Sequence, residues 1–520
     1  MASDFMSQLE TVLDRVNPNV SVTENGAVGY KTTGVKLLDL NFMLSSMRNW
    51  TGDEIWSKFL AAYNENPLLA IVWLFFARDI RGGCGERRVF RVIFQHFARE
   101  NPDLAKKVLS LIPEYGRWDD LIDVLFSDAP CEVRDAAFSC IYSQLDRDLD
   151  NARARKPISL LAKWLPSINT SSANTRRKGE VIRNFLRWTP KQYRKTISRL
   201  RTYIDVTEKK MSANQWGEID YKSVPSKAGM TYRDAFARHD GHRYDRYLMD
   251  VKLGKASMNS DALYPYEIVH AYMSPCFYDA LSPFDETLEL KWKNLSDTFT
   301  DGAKTLVVVD GSGSMSSTIG RTSLSCHDVA RSLGIYFSER LSGAFHNSFI
   351  TFSANPKLVR FDGAESLRSK LQILIDEDEC SNTNIEKTFD LILRTAVENH
   401  MKQEDMPANI LILSDLEFDR CTKCYEWGIS MPGTFDESLF GEIARRFQSA
   451  GYKLPRLVFW NICSRSETIP VRSNEMGVAL VSGFSQNIAD MVMSGETDPW
   501  KLLTDRLHSD RYKPVWEAIS

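Results

Sequence analysis

Residues 306–309 are four apolar side chains in a row, and they run into Asp310 and a Gly/Ser turn, KTLVVVDGSGS over 304–314. A strand without polar alternation must be covered on both faces, as in a parallel sheet flanked by helices. In such sheets ligands bind at the carboxyl ends of the strands. Asp310, Ser312 and Ser314 fall at that end, on a turn that uses Gly311 and Gly313. One carboxylate and two hydroxyls suit a hard cation, Mg²⁺, Mn²⁺ or Ca²⁺, rather than zinc. Further strands are expected at 347–353, 408–415, 456–462 and 477–482, and helices at 325–341, 384–399 and 436–450. Alternating strand and helix predicts a doubly wound, Rossmann-like α/β sheet.

A D-x-S-x-S stretch alone is ordinary turn chemistry. Two later stretches add to it: SNTNIEK at 381–387, which opens a helical pattern after the acidic loop 376–379, and ANILILSD at 408–415, a second apolar strand ending on an acid. With these the segment resembles a von Willebrand factor A domain carrying a metal-ion-dependent adhesion site. The resemblance assigns Asp310, Ser312, Ser314, Thr383 and Asp415 to the metal. The glycine that family places after the second acid is Leu416 here, in SDLEFD, which puts the local loop geometry in question.

The 520 residues suffice for two or three domains, and 43% hydrophobic content supports real cores. The longest apolar run, 68–77, is too short to span a bilayer and reads as a buried helix. MASDFMSQLE has neither a basic nor an apolar signal region, and nine cysteines are an odd number, so a reducing, cytoplasmic setting without membrane attachment is expected. The net charge of −3 hides a local extreme: residues 152–201 carry 14 basic and one acidic side chain, a balance of +13. Such a field attracts polyanions whatever the overall charge.

The first 300 residues show short helical periods separated by Gly, Pro or Asn, over 86–97, 103–112 and 132–145 among others. This predicts an α-helical repeat array. The stretches TENGAVGYKTTGVKLLDL (23–40), FARDIRGGCGERRVFR (76–91), PEYGRWDDL (113–121), LLAKWLPSINT (160–170) and VPSKAG from Val224 resemble a TROVE-like family of plant and viral proteins, itself similar to the Ro autoantigen. The resemblance implies a TROVE-like domain over 1–300, a monomeric ring of HEAT-like repeats, followed by an A-type domain over 301–520, with the boundary near 296–302. It also implies a ribonucleoprotein: binding of small structured or single-stranded RNA through a basic surface.

The residues themselves point the same way. Thr189-Pro190 is an N-cap and N1 pair. In the helix that follows, Lys191, Arg194, Lys195, Arg199 and Arg201 fall on one face and Tyr193, Ile197, Leu200, Tyr203 and Ile204 on the other. Like charges at i, i+4 repel, so an unmixed cationic stripe fits a phosphate backbone better than plain solvent. The helix predicted over 177–188 repeats the theme, with Arg183 and Arg187 opposite Val181, Phe185 and Leu186; Arg176 immediately precedes it, and Arg177 and Lys178 open it. The loop 167–175 between the basic runs is polar and flexible enough to close over a strand. Arg78, Arg81, Arg87, Arg88 and Arg91 flank Gly82-Gly83 and either line a phosphate path or pair locally, Arg78 and Arg88 with Asp79 and Glu86.

Cys421-x-x-Cys424 lacks a second pair, and reads as a thiol pair on a loop. His239 and His242, in RHDGHRYDRY, lack metal-ligand spacing and read as packing or phosphate contacts. No nucleophile elbow, P-loop or kinase set is present. The expectation is therefore a non-enzymatic RNA-binding protein whose A-type domain holds a divalent cation and a partner. The rival is a protein–protein adaptor that captures an acidic partner on the metal without RNA.

Overall fold

The computed structural model describes residues 19, 21–26, 28–273, 280–296, 304–352, 356–377, 385–418, 439–470, 477–489, 491, 496 and 498–520. The chain forms two compact units. One comprises 68–263, 285–296 and 508–520; the other comprises 1–67, 264–284 and 297–507. Each unit is thus discontinuous along the chain. Hydrophobic periodicity tells which face of a helix is buried but not which core buries it.

The first unit is helical. Its apolar run becomes α1 (Pro67–Arg78), in which residues 69–78 are all buried. α2 (Arg87–Glu100) buries Val89, Phe90, Ile93, Phe94 and Phe97, while Val92 is half-buried. Each such fully buried side chain contributes about 1.5–3 kcal/mol. α3 (Trp118–Val124) follows, then α4 (Cys131–Arg153), which buries Val133, Ala137, Ile141 and Leu145 at a spacing of four. α5 (Ala173–Phe185) starts at Ser172, whose hydroxyl accepts from Thr175 N–H. α6 (Pro190–Tyr203) has the expected start: Pro190 in the first turn and a reciprocal cap between Thr189 and Gln192. A second cluster of buried residues, including Ile219, Tyr221, Phe236, Tyr244 and Leu290, forms farther along. The last segment joins this unit by the Arg511 guanidinium, which brackets Asp79 at 2.9 and 3.0 Å.

The second unit opens with a short antiparallel hairpin, β1 (Ser21–Val22) and β2 (Val28–Gly29), where only helix was expected. Its centre is a six-stranded sheet: β3 (Thr305–Asp310), β4 (Ser348–Phe352), β5 (Leu358–Arg360), β6 (Asn409–Ser414), β7 (Arg456–Asn461) and β8 (Val478–Ser482). The spatial order is β5-β4-β3-β6-β7-β8, and every pairing is parallel except that of β5 with β4. β3, β6, β7 and β8 are buried along their whole length, as their uninterrupted apolar runs require. The chain moves outward from β3 to β5, then returns to the other side of β3 as β6. The topological switch therefore lies between β3 and β6, where such sheets bind ligands.

Helices pack on this sheet. α7 (Pro265–Tyr272) contacts α8 (Cys326–Arg340) through His270 Nδ1 and Asp328, 2.8 Å apart. α8 lies so close to β3 that a Cβ on Gly334 would stand 2.7 Å from Val309 Cγ2. The helix Lys36–Phe42 and the turn after it are fastened to the sheet: Ser45 Oγ donates to Asn461 O at 2.9 Å, Ser45 N to Ser482 Oγ at 3.0 Å, and Asn461 Nδ2 to Phe42 O at 2.8 Å.

A candidate cation site and a cationic helix face

The ends of β3 and β6 bring Asp310 and Asp415 together at the switch point. Asp310 is buried; its Oδ1 accepts from Ser312 N at 2.9 Å and its Oδ2 from the Ser414 hydroxyl. The Ser312 and Ser314 hydroxyls are 2.9 Å apart. Asp415 is fully buried; its Oδ1 accepts from Glu417 N at 3.2 Å, while Oδ2 has no hydrogen-bond partner. Arg465 Nη1 stands 3.4 Å from that oxygen, an ion-pair distance without hydrogen-bond geometry. Burial, then the like charge of Asp310, push the Asp415 carboxyl up to about 7, against the pull of Arg465.

Two acids that resist ionising together, two adjacent hydroxyls and a sealed carboxylate oxygen make a hard-oxygen donor set short of positive charge. These residues fit a divalent cation. Among the described residues no group of three or more His, Cys, Asp or Glu side chains is arranged for a metal ion, so hydroxyls must supply part of any shell. Thr383, Cys421 and Cys424 lie outside the described residues.

Leu416 takes the left-handed conformation, φ +63°, which glycine adopts far more readily than a residue with a side chain. The loop holds it there: Leu416 N donates to Ser414 Oγ at 2.8 Å, and its side chain is buried.

Two site residues were missed from sequence. Glu417 is fully buried, and its Oε1 accepts from Arg465 N, Ser466 N and the Ser464 hydroxyl at 2.8, 2.9 and 3.3 Å. Its Oε2 accepts from Glu24 N at 2.8 Å. The hairpin adds Asn25 Nδ2 to Glu417 O at 2.6 Å and Thr23 Oγ1 to Phe418 O at 2.8 Å. Arg465 joins Glu24, at 2.7 Å, to Ser317 Oγ at 2.8 Å and Ser314 O at 3.1 Å. A cation four residues past the end of β7, at the ligand-binding end of the sheet, is the signal that could have found it.

In the helical unit α6 divides as its sequence requires. Tyr193, Ile197 and Leu200 are buried; Lys191, Arg194, Lys195 and Arg199 are exposed, and none has a carboxylate partner among the described residues. Arg201 departs from the expected stripe. It is turned inward, with Nε on Ala162 O at 2.8 Å, Nη2 on Leu165 O at 2.6 Å and Nη1 on Ser167 Oγ at 2.9 Å. Ten residues beyond Lys191, at 100° each, it has rotated to the edge of the stripe.

On α5 the buried residues are Gly179 and Ile182, with Leu186 just beyond, while Val181 and Phe185, expected inside, are 39% and 41% exposed. Arg177 and Arg187 are exposed and without an acid partner among the described residues. Arg176 is committed to Thr170 O at 2.9 Å, Arg183 to Glu180 at 2.6 Å, and Lys178 faces Asp123 at 3.6 Å.

The arginines near Gly82-Gly83 are mostly committed as well. Arg78 makes a buried bidentate bond to Asp120 Oδ2 at 2.9 and 2.7 Å, rather than pairing with Asp79. Arg91 reaches Asp120 at 2.7 Å and Asp119 at 3.1 Å. Arg87 pairs with Asp119 and lies 3.5 Å from Asp120, and Arg81 donates to Glu114 O at 2.8 Å. Burial raises the Asp120 carboxyl, but Arg78 and Arg91 outweigh it and hold the group below the usual range. His239 stacks on Trp216, centroids 4.3 Å apart, in line with a packing role.

Fold and site together define a two-unit protein, a helical array and a mostly parallel α/β sheet with two acids at its switch point. Residues 170–304 match the family described as Domain of unknown function (DUF2828), and residues 304–506 match Domain of unknown function (DUF7788). The chain is 30% identical over 535 residues to "Uncharacterized protein L728" of Acanthamoeba polyphaga mimivirus, a match that covers 96% of this chain and 89% of the viral one. It belongs to the same family as that viral protein. Among the described residues no helix is long and apolar enough to cross a membrane.

Proposed function

We propose that this is a non-enzymatic RNA-binding protein that engages small structured or single-stranded RNA through the cationic face of its helical unit. The observation that carries this reading is α6: four exposed cations unrelieved by any acid among the described residues, backed by three buried apolar side chains. A stripe that ignores the usual mixing of signs costs a few tenths of a kcal/mol per like-charge pair, which a polyanion laid over it would relieve. The helical unit is read as a TROVE-like ring of HEAT-like repeats, acting as a monomer in the cytoplasm. The sheet unit is read as a von Willebrand A-type domain, which its strand order and the left-handed Leu416 support.

In that domain Asp310, Ser312, Ser314 and Asp415, with Thr383, would hold Mg²⁺ or Mn²⁺. The bound ion would supply an electrophilic centre for an anionic oxygen from a partner. Asp415 and its unpartnered oxygen leave room for the adaptor reading, in which an acidic protein side chain is that partner. A two-metal nuclease is disfavoured, because the third nearby carboxylate, Glu417, is consumed by backbone donors.

The test is binding of a labelled single-stranded RNA across a salt series. Lys191, Arg194, Lys195 and Arg199 all changed to Gln should leave the melting temperature unchanged or slightly raised. The slope of log K against log salt should fall by about 0.7 for each phosphate that the variant no longer neutralises. Wild-type affinity and slope in that variant, or no binding by the wild type at about 50 mM salt, would overturn the RNA reading.

A further inference from the structure

The outer surface of α5 and α4 carries aromatic groups that the cationic face alone does not explain. The Phe185 ring stacks on Phe138 with centroids 4.0 Å apart and planes 16° from parallel. Phe138 is buried, whereas Phe185 is 41% exposed, so the stack has an inner ring in the core and an outer ring open to solvent. Val181 lies one turn before Phe185 on α5, and Tyr142, 52% exposed, one turn after Phe138 on α4. Exposed apolar groups gathered in this way mark a contact surface.

Arg177 precedes Val181 by one turn, and Arg187 and Lys191 follow Phe185; all three are exposed and lack an acid partner among the described residues. Glu180, the one acid of α5, is held by Arg183. Asp135 and Asp146, both exposed, stand one turn outside Phe138 and Tyr142 on α4. The patch therefore offers an exposed apolar surface with free positive charge before and after it along α5. A ligand that completes both is planar and apolar in one part and anionic in the next, which describes successive nucleotides of a single strand.

We propose that Phe185, with Val181 and Tyr142 beside it, is a base-stacking platform: a nucleobase forms the next layer over Phe138 and Phe185, while Arg177, Arg187 and Lys191 hold the flanking phosphates. This rests on the RNA reading above and adds that the strand is unpaired where it crosses α5. Stacking selects by the presence of a base and little by its identity.

The test compares an octauridylate with an abasic ribose-phosphate strand of equal length and charge, by fluorescence anisotropy at one salt concentration. The wild type should bind the base-bearing strand about tenfold more tightly. Phe185→Leu, which keeps an apolar group against Phe138, should erase that preference and leave the salt slope as it was; Phe185→Tyr should retain the preference. Equal affinity of the wild type for both strands would overturn the platform and leave the cationic face standing. Binding of neither strand would overturn both. A preference retained by a folded Phe185→Leu variant would place stacking elsewhere and likewise overturn the assignment.

Discussion

Around α2 and α3, Arg78, Arg87 and Arg91 converge on Asp119 and Asp120, whereas along α6 four cations face outward without an acid partner among the described residues. In the first group Arg78 has given up its water, and all three arginines have gained opposite charge. The second keeps its water and its mutual repulsion. Density of arginine therefore does not by itself mark a nucleic-acid surface. What matters is whether the acids that could neutralise the cations are brought to them by the fold.

The comparison can be broken from either side, and the largest effect belongs to the buried pair. Asp120→Ala leaves the Arg78 guanidinium uncompensated in the interior and should destabilise the helical unit by about 3–5 kcal/mol in chemical denaturation. An effect under about 1 kcal/mol would mean that the network is not the anchor its geometry indicates.

The second test concerns like charges that are buried instead of exposed. The folded-state pKa of Asp415 is raised, to about 7, so the stability it contributes is full below the ordinary carboxyl range and is lost as pH rises through about 7. A divalent cation takes the proton's place. Affinity for Mn²⁺, measured by calorimetry between pH 5.5 and 8, should rise about tenfold per unit until near pH 7 and then level off, with one proton released per ion below the break. Asp310→Ala should abolish the heat of binding at every pH; unchanged binding in that variant would remove the cation site.

The smallest effect is expected at Arg87, which is 44% exposed at its side chain. Arg87→Gln should cost about 1 kcal/mol or less and should not alter the salt dependence of RNA binding. A shallower slope in this variant would move Arg87 to the unpaired class.

The face of α6 was legible because its information is local: a capping pair, a helical period, and one kind of residue on each side. The central strands were legible for the same reason, as were Asp310 and Asp415 at their ends. What could not be read depends on partners far away in the chain. Asp120 reaches Arg78 across 42 positions, and Glu417 reaches Glu24 across 393. No period links such residues. Val181 and Phe185 were misjudged for a related reason: amphipathic spacing identifies an apolar side chain but assumes that the fold has something to cover it with.

The tie between the N-terminal hairpin and the loop after β6 bears on how this protein can be dissected. A fragment beginning at residue 301 would retain all six strands of the sheet and both acids. It would lack Glu24, which anchors Arg465, and the amide that Glu417 Oε2 accepts from. It would also lack Ser45, whose hydroxyl and amide occupy Asn461 O and Ser482 Oγ at the ends of β7 and β8. Cation binding lost in such a fragment would report a missing scaffold and not a wrong ligand set, so the shortest piece suited to studying the site in isolation has to carry the hairpin and the helix Lys36–Phe42 along with the sheet.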